Sequence, residues 1–156
     1  MKRCPRGEDM GNLRALRRKK GLTQAALAEQ AGASQTRISA HELGKRPLTM
    51  RQVLAIAVCL KTSVDHLLDR TDVEEPYPCG DGHGGNLRRI REKRHLTQIG
   101  VQMRVGINQS AISQYETGGE LPTIQNIILL ADLFHVSTDF LLDRTDVEEP
   151  YPPKKQ

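Results

Sequence analysis

The 156-residue sequence has no tryptophan, three tyrosines and two phenylalanines. Aromatics at 3% leave little from which to build a β core, and strand-like alternation of apolar and polar residues is absent. The cysteines, Cys4, Cys59 and Cys79, are odd in number and stand at unrelated spacings, which argues against a disulfide framework and fits reduced thiols. No apolar run approaches the roughly 20 residues that a bilayer span requires. The opening Met1-Lys2-Arg3-Cys4-Pro5 lacks the apolar stretch of a signal peptide, so the expected location is the cytosol. Catalytic and metal-binding signatures are also scarce. There is no Gly-rich phosphate loop, and His41-Glu42 lacks the second histidine of a metalloprotease helix. Cys79 and His83, with Cys4 as a third donor, are too few and too scattered for a structural zinc site. The expectation is a non-enzymatic protein without metal or cofactor.

What is present is a sequence written twice. A shift of 74 residues brings Gly11-Asn12-Leu13-Arg14 onto Gly85-Asn86-Leu87-Arg88, and Leu67 through Pro78 onto an identical Leu141 through Pro152. About 31 of roughly 68 aligned positions are identical without a gap. Two domains of this size are marginal, but each can fold alone if its core is helical and local. Net charge is +4 and unevenly spread: residues 1–76 hold 14 Lys/Arg against 9 Asp/Glu, and residues 77–156 hold 9 against 10. The first copy should dominate attraction to a polyanion.

Within each copy the apolar spacing is helical. Leu13, Leu16 and Leu22 give a first helix, about 11 to 20, its buried side, and Gly21 stops it. Thr23 caps a second helix from Gln24 to about Gln30 that buries Leu27, Ala28 and Ala31; after the Gly32 turn, Ser34 caps a third helix to about Glu42, with Ile38 and His41 inward. Pro47 and Thr49 introduce a fourth, Met50 to about Leu60, carrying Leu54, Ala57 and Leu60, with Cys59 in or near the core; Ser63 caps a last turn. The second copy repeats this punctuation. Thr97 and Asn108 cap, Gly106 and Gly118 break, and Thr123 opens a fourth helix burying Ile124, Ile128, Ala131 and Phe134. The expected domains are 1–70 and 85–144, with a linker at 71–84 and a tail at 145–156. Pro76, Tyr77 and Pro78 are open to a second reading, in which they pack back on their own domain.

A short helix, a glycine turn and a helix with polar residues at its start form a helix-turn-helix. The second helix of such a pair fits the major groove of B-DNA, where its N-terminal side chains reach base edges. Glutamine and asparagine suit that position because each carries a donor and an acceptor. The candidates are Ser34, Gln35, Thr36, Arg37 and Ala40 in the first copy, and Asn108, Gln109, Ser110, Ala111 and Gln114 in the second.

On Leu22-Thr23-Gln24-Ala25-Ala26-Leu27-Ala28 through Ile38 and Glu42-Leu43-Gly44, and on Leu96-Thr97-Gln98 through Ile112 and Tyr115-Glu116-Thr117-Gly118, both copies resemble the Cro and lambda-repressor family of bacterial and phage regulators, the XRE type. The resemblance runs from about Gly11 to Arg144. It implies an all-α chain of two tandem five-helix domains on a short linker, bound to double-stranded DNA through the major groove and located with the bacterial or phage nucleoid. It also implies that Gln24 and Gln98 grip a phosphate and buttress the recognition helix, and that Gln35 and Gln109 meet a base. Arg17 would pair with Glu42, and Arg91 with Glu116; a partly buried charge needs such a partner. The loop after the third helix faces phosphates in the family, which points to Lys45 and Arg46.

The second copy departs from the pattern at two places. Gln102 replaces the small Ala28 where the second and third helices pack, and a buried amide must find partners. Gly119-Glu120 replaces Lys45-Arg46, which weakens attraction to phosphates. Two readings of function follow. In the first, the chain is a transcriptional repressor whose two modules form a covalent pseudo-dimer on unlike half-sites about 34 Å apart, within the reach of about 50 Å from Asp69 to Gly85. In the alternative, only the first copy binds DNA and the second mediates pairing, with a second copy of the chain or with a partner regulator. The continuous apolar run of Ile127, Ile128, Leu129 and Leu130 is the feature that favours a protein contact.

Overall fold

The computed structural model describes residues 11–80 and 84–155. The opening residues Met1 to Pro5 and the metal candidates Cys4 and His83 lie outside the described residues. Among those described there are ten helices and no strand: α1 (Gly11–Lys19), α2 (Gln24–Ala31), α3 (Gln35–Glu42), α4 (Met50–Leu60), α5 (Val64–Leu67), then α6 (Asn86–Lys93), α7 (Gln98–Val105), α8 (Gln109–Thr117), α9 (Ile124–Phe134) and α10 (Thr138–Leu141). The chain divides into two compact units, Met1–Pro76 with Pro152–Gln156, and Tyr77–Tyr151.

Side-chain caps start most of these helices. Thr23 accepts from the Ala26 amide at 3.1 Å and Thr97 from Gly100 at 2.9 Å, so each satisfies an N–H that no helical carbonyl can reach. Ser34 accepts from Arg37, and Thr49 closes a reciprocal capping box with Gln52. Ser63 and Ser137 cap α5 and α10, each at 3.0 Å. Gly32 and Gly106 end α2 and α7 in the left-handed region, at φ of 63° and 76°, where a side chain would be strained. The turn between the second and third helices therefore begins with a left-handed glycine in both units.

The first core is built from Leu13, Leu16, Leu27, Ala28, Ile38, Val53, Ile56, Leu60 and Leu67, all buried. On α4, Ala57 and Leu60 are buried as expected, but they are joined by Met50, Val53 and Ile56, and Leu54 is only half-buried. The same pattern occurs in α9, which buries Ile127, Leu130, Ala131 and Phe134 and leaves Ile124 and Ile128 half-buried. Four apolar residues in a row allow either face of the helix to point inward. Packing against α7 and α10 selects the face containing Ile127 and Leu130. Cys59 is half-buried, its thiol against the amide oxygen of Gln30.

The duplicated segment is held in place in both units. Ser63 donates its backbone N–H to the Glu74 carbonyl at 2.9 Å and its hydroxyl to the Val73 carbonyl at 3.0 Å, and Lys19 reaches Glu74 at 2.6 Å. In the second unit Asn86 donates to the carbonyls of Phe140 and Thr145, and Lys93 pairs with Glu148 at 2.7 Å. Residues 71–76 thus lie with the first unit because its backbone groups are satisfied there. Tyr77 belongs to the second unit, where its ring stacks on Tyr151 at 4.1 Å and 9°. Thr71 donates to the Pro152 carbonyl at 2.6 Å and Lys154 pairs with Asp69 at 2.6 Å, so Pro152 and Lys154 lie on the first unit.

Candidate nucleic-acid interface

One charged bracket sets the position of α3. Arg17 on α1 donates from Nε to Glu42 Oε1 at 2.7 Å and from Nη2 to Oε2 at 3.1 Å, while Nη1 meets the Leu22 carbonyl at 2.8 Å. Gln24, the first residue of α2, donates from Nε2 to Glu42 Oε2 at 2.9 Å. Three helices therefore meet at one carboxylate. Burial works against the charged form of Glu42, but the hydrogen bonds from Arg17 and Gln24 outweigh it and hold the carboxyl below its ordinary range. The bond to Glu42 raises Arg17 above its already high value.

The second unit builds the same bracket on α8. Arg91 donates from Nε to Glu116 Oε1 at 2.5 Å and from Nη2 to Oε2 at 3.1 Å, and Gln98 donates to Glu116 Oε2 at 3.0 Å. It adds one link, from Gln109 Nε2 to Gln98 Oε1 at 2.7 Å. Gln24 and Gln98 are thus each joined to a glutamate in the last turn of the third helix.

With the bracket behind it, α3 turns its other side outward. Gln24, Gln35, Thr36, Ser39, Ala40, Leu43 and Lys45 line a shallow hollow of about 430 Å³. Gln35, Thr36 and Arg37 are exposed, and so are Lys45 and Arg46 in the loop beyond. The Ser34 hydroxyl is occupied by its cap. Ser39 and Leu43 were not among the sequence candidates, although positions 36, 39, 40 and 43 share one face at helical spacing.

Behind this surface His41 is buried, and its Nδ1 donates to the Arg46 carbonyl at 3.1 Å, which ties the cationic loop to the helix. Burial pushes its pKa below the ordinary value, so the ring is neutral at pH 7.

The equivalent surface on the second unit differs in detail. Asn108 caps the Ser110 amide at 2.8 Å, and Gln102 accepts from the Gln109 amide at 2.7 Å. The amide oxygen brought in where the first unit has Ala28 is therefore satisfied, and it caps α8 a second time. Gln109 and Ala111 are half-buried, while Ser110 and Gln114 are exposed. The Gln114 side chain lies against Gly119, where even a β-carbon would collide with it. Tyr115, opposite His41 in the repeat, accepts from Asn126 at 2.9 Å. On α7, Ile99 and Met103 stand 62% and 79% exposed at positions where the first unit carries Ala25 and Glu29.

Comparison with known proteins finds the same motif in both halves. The family described as "Helix-turn-helix domain" matches residues 11–70, and the one described as "Helix-turn-helix" matches residues 87–141. The uncharacterised HTH-type transcriptional regulator y4dJ of Sinorhizobium fredii is 37% identical over 68 residues, 44% of this chain and 87% of that protein. YobD of Bacillus subtilis, also an uncharacterised HTH-type transcriptional regulator, is 33% identical over 64 residues, 41% of this chain and 57% of its own length. The cryptic phage CTXphi transcriptional repressor RstR of Vibrio cholerae is 32% identical over 63 residues, 40% and 56% of the two chains. The match thus spans little more than half the length of the last two relatives.

Proposed function

From the premise that this chain belongs to the XRE-like helix-turn-helix family of transcriptional regulators, in two tandem copies, we propose that it is a sequence-specific binder of double-stranded DNA acting as a repressor. Both modules read bases, each through the start of its third helix, and the chain works as a covalent pseudo-dimer. The observation that carries this reading is the bracket built twice. In each unit an Arg–Glu–Gln cluster fixes the third helix and leaves Gln35, Thr36 and Ala40, or Ser110 and Gln114, on the outer side. Because these sets differ, the two half-sites should differ in sequence. Gln24, Gln98, Lys45 and Arg46 contribute contacts to phosphates, which position the protein without carrying sequence information.

Selection of bound sequences from random duplex DNA with the full chain at near-physiological salt tests this. Two unlike half-sites at fixed spacing are the expected outcome. The Gln35→Ala variant should then lose one half-site and Gln114→Ala the other. A perfect dyad would instead mean one chain per half-site.

A second reading is favoured by the acidic loop Gly119-Glu120 together with exposed Ile99 and Met103. In it the second unit pairs with another protein and only the first reads DNA. Selection would then return a single half-site, and the mass of the full chain would rise with concentration.

A further inference from the structure

We infer that the first module selects a thymine-containing half-site through the methyl groups of the bases, with Leu43 as a specificity-determining residue; this rests on the reading above that the outer side of α3 meets the major groove. Thr36, Ala40 and Leu43 stand at i, i+4 and i+7, so they form one stripe along α3 and its C-terminal cap, opposite buried Ile38 and His41. Leu43 is 60% exposed, a large aliphatic side chain at the edge of a hollow whose other walls include Gln24, Gln35 and Lys45. The stripe presents two apolar side chains, Ala40 and Leu43, set beside Thr36 among donors and a cation. A contiguous apolar patch of the kind that pairs two proteins looks different.

The major groove offers the matching pattern. Its only apolar group is the 5-methyl of thymine, set among hydrogen-bonding base edges and flanked by phosphates. Charge selects the same occupant. The first unit carries 16 Lys/Arg against 9 Asp/Glu, and exposed Lys45 and Arg46 follow Leu43 almost directly.

The second unit lacks this stripe. Its equivalents are Ser110, Gln114 and Thr117, all polar, and the Thr117 hydroxyl donates back to the carbonyls of Ser113 and Gln114 at 3.1 and 3.2 Å. One module therefore reads methyl groups while the other reads donors and acceptors, which makes the operator chemically asymmetric.

The test uses the full chain and its selected duplex, with deoxyuridine replacing thymidine in one half-site at a time. That exchange removes the methyl group and keeps base pairing. In the half-site lost by Gln35→Ala, each contacted methyl should be worth about three- to fivefold in affinity, and in the other half-site none. Leu43→Thr, which installs the residue found at 117 on an exposed position, should abolish the response at one thymine while leaving the rest of the site unchanged. Equal binding of uracil and thymine duplexes overturns the inference. So does a Leu43→Thr variant that alters self-association and leaves DNA affinity intact. If no sequence is enriched at all, the DNA-reading proposal itself falls, and this inference falls with it.

Discussion

Glu42 receives hydrogen bonds from Arg17 and Gln24, with side-chain exposures of only 3% for the carboxylate and 10% for the arginine. Removing one partner strands the other as an unpaired, largely dry charge. Glu42→Ala should therefore cost the first unit about 3 kcal/mol, read as an earlier transition in chemical denaturation of the full chain. Replacing both partners by apolar residues, Arg17→Met with Glu42→Leu, should recover much of that loss while freeing α3 to shift, so DNA affinity would not recover with it. Recovery of both would show that the bracket is not what positions α3. His41 gives a second effect at this scale. Its folded pKa is depressed by burial, so the unfolded chain takes up a proton near 6.5, before the folded one does. This residue's contribution to stability is fully present above that pH and is lost as pH falls below it. The Glu42 contribution is lost only below 4.5, as pH approaches its lowered folded value, so the two effects separate. His41→Tyr, the residue found at 115, should flatten the stability profile just below pH 6.5. An unchanged slope would assign the acid sensitivity to another group.

At the scale of helices, α8 takes its start from two acceptors, Asn108 and Gln102. Gln102→Ala should cost the second unit about 1 kcal/mol, the usual worth of a cap, while Gly100→Ala in α7 should add roughly 0.5–1 kcal/mol by restricting the unfolded chain. A β-carbon at 100 would approach the Thr97 hydroxyl to 3.2 Å, but the first unit holds Ala26 beside the capping Thr23 in the same setting, which indicates that it fits. Thermal unfolding of the two variants should move in opposite directions, and a fall for Gly100→Ala would mean that Thr97 cannot adjust. These helices also show what was legible in the sequence. Thr23, Ser34, Thr49, Thr97 and Asn108 announced their helices because capping depends only on residues two or three positions away. Ala57, Leu60, Ala131 and Phe134 are legible as inward, but Leu54, Ile124 and Ile128 are not told from Val53, Ile127 and Leu130, because Val53-Leu54-Ala55-Ile56 and Ile127-Ile128-Leu129-Leu130 are apolar all round and only the helices packed against them select a side. Gln102 was visible as a departure from the pattern, but its use as a cap depends on how closely α7 approaches α8. Leu43 was passed over because it lies just beyond the helix that carries the other outward residues.

For the whole molecule the two units carry opposite charge: 16 Lys/Arg against 9 Asp/Glu in the first, and 7 against 10 in the second. Each cation that neutralises a phosphate adds nearly one unit to the steepness with which affinity falls with salt. The loop after the third helix holds the clearest contrast, exposed Lys45-Arg46 against exposed Gly119-Glu120. Replacing Lys45 by Gly and Arg46 by Glu should lower the salt slope by about 2 and weaken binding to all sequences alike. The reciprocal change, Glu120→Arg, is the more informative one because it asks where the second unit is when the first is bound. If both modules lie on the duplex, the added cation meets a phosphate and the slope steepens by about 1. If the second unit serves only to pair with another protein, a charge placed on it is remote from the backbone, and at salt above about 0.15 M, where screening sets in within roughly 8 Å, the slope stays where it was. Measuring the slope for that variant on the selected duplex therefore separates a pseudo-dimer from a single reading head carrying a second domain, whatever the sequence of the operator turns out to be.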